Sequence, residues 1–159
     1  MNSIMNEYGV IGSLLIDSSL FPEAAGLPDQ AFSSPALQEV FRTMRRQYEG
    51  RGGFDALTVS VEARRNCPEV TDELLAQMMD ITPTTANLDA YIAAGKEEFL
   101  ARSLREIGAG LMEAEQAPLE ALGRVQDALQ RLTEENHTRR YRHAHRCACA
   151  AWEPCRRTG

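Results

Sequence analysis

Apolar residues recur three and four positions apart along most of the first 132 residues, a helical period with no convincing strand pair. Tyr8, Val10, Ile11, Leu14 and Leu15 share one helical face, and Asp17-Ser18-Ser19 supplies turn-forming residues to close that first core helix. After Phe21-Pro22 and Leu27-Pro28-Asp29, Ser34 followed by Pro35 predicts an N-cap with proline at the first helical position. The helix it opens carries Leu37, Val40, Phe41, Met44 and Tyr48 on one side, and Gly50 with the Gly52-Gly53 pair is expected to stop it.

Phe54 to Thr58 leads into a segment with Val59 and Val61 whose β-propensity alone suits a strand; its brevity and its neighbours predict a short helix. Thr71-Asp72-Glu73 starts the next helix, with acids at the positive end of the helix dipole and Leu74, Leu75, Met78 and Met79 on its buried face. Thr82-Pro83-Thr84-Thr85 ends it in a loop too stiff to be floppy. Asn87 is expected to cap a long helix running through Tyr91, Ile92 and Phe99 to about Leu111.

The second half of that helix changes character. Leu100, Leu104, Ile107 and Leu111 are spaced four, three, four, the narrow seam of helix pairing rather than the wide stripe of a core helix. Pro118 opens another helix, whose Leu122, Val125, Leu129 and Leu132 are spaced three, four, three. Two such seams joined by a short connection predict an antiparallel hairpin. Arms this short are marginal alone, so the hairpin must fold back on the head or pack against a second copy. Ala101, Gly108, Ala109, Gly110, Ala121 and Ala128 leave room for close approach, and they are equally well explained as tolerated helix residues. The expected layout is an all-α chain: a compact helical head over residues 1–98, the hairpin over 99–135, and a disordered basic tail over 136–159.

Charge divides the chain at the same place. Residues 1–135 hold 11 Lys+Arg against 22 Asp+Glu, a net of −11, whereas residues 136–159 hold six Arg against one Glu, a net of +5. The acidic body is a poor polyanion binder, because affinity for phosphates comes from neutralising them and releasing their counterions; no direct DNA binding is expected of it. Cys67 is the body's one cysteine, which argues against a disulfide framework and for a reducing compartment. Met1 to Tyr8 lacks a basic n-region, and no apolar run approaches the roughly 20 residues of a membrane span. The expectation is a soluble, cytoplasmic protein without membrane partners.

Catalytic patterns are missing from the body. Its one lysine, Lys96, follows Gly95 but precedes Glu97, with Ala90 where a P-loop needs its first glycine. All three histidines lie in the tail, which leaves no Ser-His-Asp or Cys-His arrangement in the body. Glu97-Glu98 and Glu134-Glu135 are sequence neighbours that diverge on a helix and read as solvated surface. Neither a catalytic residue nor a cofactor or metal is expected.

From about Glu7 to Leu132 the chain resembles the N-terminal domain of the bacterial replicative DNA helicase, the DnaB family. The resemblance is carried by Glu7 to Asp17, Leu27 to Phe32, Leu37 to Phe41, Phe54 to Thr58, Ile81 to Tyr91, and Arg102 ahead of the hairpin. Within these, Gly9 and Gly12 leave two gaps on one helix face, Asp55 and Asn87 are placed to start helices, and Tyr91 supplies a large core contact one turn later. The resemblance implies a helical head plus hairpin that pairs with a neighbouring subunit as a homodimer or higher oligomer. It also implies a place in the collar of a hexameric ring and a docking surface for primase. The ATPase and DNA channel of that family belong to a RecA-like domain beyond a linker helix. Here the chain ends first, so the expectation is a truncated, non-catalytic scaffold module.

The tail allows three readings. His143-x-His145-x-Cys147-x-Cys149 with Cys155 offers ligands for zinc, although structural sites more often close a loop over a second cysteine pair. Its arginines, with Tyr141 and Trp152 available to stack on bases, suit a nucleic-acid arm. The preferred reading is an out-of-frame or truncated gene product, since 16 Arg and one Lys point to GC-rich coding DNA. The alternative function is then a small helical dimeric regulator that reads nucleic acid or zinc through this tail.

Overall fold

The computed structural model describes residues 3–112, 120 and 122–133, and all regular structure among them is helical, as the 3.6-residue period predicts. The expectations for Pro118, for the connection between the arms and for the tail, including His143, His145, Cys147, Cys149 and Cys155, lie outside the described residues. Two compact units divide the chain, Met1–Arg102 and Ser103–Gly159.

The first unit is built from α1 (Ser3–Ile16), α2 (Phe21–Ala24), α3 (Pro35–Arg51), α4 (Ala56–Asn66), α5 (Asp72–Ile81) and the first part of α6 (Leu88–Met112), with 3-10 turns at Ser18–Leu20, Asp29–Ala31 and Thr85–Asn87. The caps follow the sequence closely. Ser34 accepts from the Ala36 N–H with Pro35 at the first position of α3. Asp55 and Thr58 form a reciprocal capping box on α4, and Thr71 accepts from the Leu74 N–H at the start of α5. The Val59–Val61 segment is helical, with Val59 buried and Val61 exposed.

One expected boundary holds and one cap moves. α3 runs through Gly50 and stops at Gly52, whose φ of +77° is the left-handed conformation that glycine adopts without a Cβ penalty. Asn87 is the last residue of a 3-10 turn rather than a cap. That turn feeds directly into α6, so the orphan donors move to its start, where Thr84 accepts from the Ala86 N–H at 3.2 Å.

The core gathers Val10, Ile11 and Leu14 of α1, Phe21, Phe32, the Leu37–Val40–Phe41–Met44 face of α3, Val59 and Ala63 of α4, Val70 just ahead of α5, Leu75 and Met78 within α5, and Leu88 and Ile92 of α6. Phe21 sits at its aromatic centre, 5.7 Å from Phe41, 5.0 Å from Tyr48 and edge-on to Phe54 at 5.8 Å between ring centroids. The two gaps on α1 serve different neighbours: Gly9 lies under the ring of Tyr91, and Gly12 lies against the Met78 carbonyl and the Thr82 hydroxyl, where α5 meets α1.

Polar groups brace this core. Glu39 is buried on α3 yet accepts hydrogen bonds from Arg42, Thr43, Arg46 and Asn66, so its charge is compensated from α3 and from the end of α4. Residues 27–33 form a loop whose backbone is served by side chains. Arg45 donates to the Leu27 carbonyl at 2.7 Å and Gln38 to the Phe32 carbonyl at 2.9 Å. Glu7 accepts from both the N–H and the hydroxyl of Ser33 at 2.9 Å. Arg102 of α6 donates to the carbonyls of Gln30 and Ala31.

Candidate functional site: an exposed leucine seam

Eight positions were singled out by their spacing, and the structure places all of them on helices: Leu100, Leu104, Ile107 and Leu111 on α6, and Leu122, Val125, Leu129 and Leu132 on a further helix, α7 (122–133). Both arms of the expected hairpin are therefore helical. Leu100 falls in the Met1–Arg102 unit and the other seven in the Ser103–Gly159 unit.

Their exposure separates them from the core residues of the same helix. Leu88 and Ile92, near the start of α6, are buried, whereas Leu100, Leu104 and Leu111 are 45%, 47% and 44% exposed, and Leu122 and Leu129 are 51% and 43% exposed. Ile107, Val125 and Leu132 are half-buried. Burying a leucine completely is worth about 1.5–3 kcal/mol, so a leucine left near half-exposed still holds roughly 1 kcal/mol that a further surface could collect. Polar residues line the same helices with both signs: Arg105 and Glu106 on α6, Arg124, Asp127 and Arg131 on α7. A Cβ added at Gly108 or Gly110 would meet nothing within 4 Å, so the space beside them is open.

The chemistry resolved among the described residues serves the fold. No group of three or more His, Cys, Asp or Glu among them is placed to hold a metal ion. Lys96 is an exposed residue in mid-helix, not part of a phosphate-binding loop. The carboxylates that titrate abnormally are structural. Asp17 is held below its ordinary value by the Ser19 hydroxyl and N–H, Asp55 by the Thr58 N–H, and Asp72 by the Ser60 hydroxyl and the Arg64 guanidinium. Asp29 and Glu39 hold Arg42 above its ordinary value, Asp29 the more strongly. No helix among the described residues is long and apolar enough to cross a membrane.

What spacing did not reveal is how α6 is tied down where the seam begins. Arg102 stood out only through a family resemblance; its reach to Gln30 and Ala31 spans more than 70 residues, and no local pattern signals it.

Comparison with known proteins places these features in context. The family model of the DnaB-like helicase N terminal domain matches residues 1–97. Among solved structures, the chain is similar to the N-terminal domain of DnaB helicase from Mycobacterium tuberculosis, with 27% identity and a TM-score of 0.71 over 80% of this chain and 95% of that one. Among curated proteins, none matches.

Proposed function

The chain belongs to the DnaB-like helicase N-terminal domain family, and from this premise we propose that it acts as a non-catalytic scaffold module of a replicative DNA helicase. In this reading two copies pair through the hairpin arms, burying Leu100, Leu104, Ile107 and Leu111 together with Leu122, Val125, Leu129 and Leu132, and such pairs build a ring collar that offers a docking surface to primase. The ATPase work belongs to a RecA-like domain, and the module operates in the cytoplasm beside the replication machinery.

The observation that carries the proposal is the half-exposed row of leucines on helices whose head matches the family. Five leucines retaining roughly 1 kcal/mol each supply about 5 kcal/mol per copy and about 10 kcal/mol per pair, and an association cost of at least about 4 kcal/mol leaves up to about 6 kcal/mol, a dissociation constant of tens of micromolar. Sedimentation equilibrium at tens of micromolar is expected to show a dimer or larger species, and the pair Leu104→Asp with Leu129→Asp is expected to return it to monomer with its helical content retained. Titration with the helical domain of a primase is expected to give saturable binding. A strictly monomeric wild-type chain that ignores the primase domain would sink the reading.

A further inference from the structure

Resting on the pairing reading above, we infer that Arg102 is a positioning residue for the start of the seam: its guanidinium pins the last head-borne turn of α6, which carries Leu100, to the 27–33 loop.

The need for a donor begins in the loop. A 3-10 turn at Asp29–Ala31 uses the Pro28 and Asp29 carbonyls as acceptors for the Ala31 and Phe32 N–H groups, which leaves the Gln30 and Ala31 carbonyls without backbone donors. Arg102 fills both vacancies with one nitrogen, Nη2, the Ala31 bond measuring 3.2 Å. No carboxylate among the described residues forms an ion pair with Arg102, and the nearby Asp29 is already bound by Arg42 and Arg45 at 3.1 and 2.6 Å. The guanidinium is thus committed to backbone, a target that cannot rotate away.

That target is itself immobilised. Arg45 and Gln38 hold the loop from α3, and Glu7 holds it from α1, so the carbonyl pair presented to α6 is fixed by two other helices. Arg102 sits between Leu100 and Leu104, the first two seam positions, and closes the Met1–Arg102 unit. Beyond it α6 carries Gly108 and Gly110, each costing about 1 kcal/mol relative to alanine in a helix, with open space beside both. The helix therefore passes from an anchored stretch to a weakly self-supporting one at Arg102. A lysine replaces it only in part, since its three donors sit on a shorter, more flexible stem and its ammonium is more strongly hydrated than a guanidinium.

The test compares the full chain with Arg102→Ala and Arg102→Lys, reading both the thermal midpoint and the self-association constant by sedimentation equilibrium. Arg102→Ala is expected to weaken self-association about tenfold while lowering the midpoint by only a few degrees. Arg102→Lys, which keeps the charge and the helix propensity, is expected to weaken it about threefold and serves as the decisive variant should the alanine chain fail to fold. A dimer as tight as wild type in a folded variant overturns the proposal and leaves the pairing reading standing. A wild-type chain with no self-association overturns the pairing reading and this positioning role with it.

Discussion

A methyl group added at Gly12 would land on the Met78 carbonyl and the Thr82 hydroxyl, whereas one added at Gly9 would meet the Tyr91 ring at 2.7 Å. A backbone carbonyl cannot step aside, but a half-buried tyrosine ring can shift. Gly12→Ala is therefore expected to destabilise the head by about 2–3 kcal/mol, and Gly9→Ala by about 1 kcal/mol, with urea unfolding at constant slope as the measurement. The paired gaps were legible in the sequence as glycines three apart on an apolar helix; which element filled each gap was not, because that depends on contacts some 70 to 80 residues away. Buried charge was less legible still. Glu39 is only 6% exposed and has four donors drawn from two helices, yet in the sequence it is one acid among 22 in the body. Glu7, also buried, gives one oxygen to Ser33, while Oε1 has no hydrogen-bond partner among the described residues. Apolar periodicity reports where carbon is buried and says nothing of which acids will find partners.

At the scale of elements, the caps were the most readable feature, since a side chain that accepts from an N–H two or three residues ahead needs nothing from the rest of the chain. Asp55 illustrates this. The sequence placed it at the start of a helix, and the structure adds a reciprocal capping box with Thr58. Replacing it with alanine is expected to cost about 1 kcal/mol. Its carboxyl is held below the ordinary 3.8 in the folded chain, as are those of Asp17 and Asp72. For groups lowered on folding, the contribution is complete above the unfolded value and is lost as pH falls through the folded one. Thermal midpoints are thus expected to hold down to about pH 4 and to fall below it, and Asp55→Asn, which keeps a cap but removes the charge, should flatten part of that decline. Where a local rule misplaced a cap, another local rule had won: Thr84 took the cap from Asn87 because a 3-10 turn lay between them, while α3 ended within its expected glycines at the one with positive φ, Gly52.

For the whole molecule, the division into units at Arg102 gives a direct expectation. Residues 1–102 alone should retain the helical content and cooperative unfolding of the head, because the core residues all lie within them; a fragment of that span that melts without a cooperative transition would contradict this. The all-α class and the order of helices were readable because every long segment kept one period. The helical placement of the eight seam positions was readable from their spacing, whereas the half-exposure of five of them emerges only from the fold. What neither period nor composition conveyed is the web of long separations that closes the head: Glu7 with Ser33, Asn66 with Glu39, Gly12 with Met78, and Arg102 with Gln30.

Those separations also fix an order in time. A chain emerging from the ribosome at about 5–20 residues per second exposes Gln30 roughly 4–14 seconds before Arg102. During that interval the local caps, the ring cluster around Phe21 and the grip of Glu7 on Ser33 become available in turn, while the Gln30 and Ala31 carbonyls stay with water. The guanidinium arrives last, as the closing bolt of the head, and only after it does the chain deliver Leu104, Leu111, Leu122 and Leu129, four of the five half-exposed leucines. The head is thereby given the chance to complete itself before those exposed apolar side chains are released.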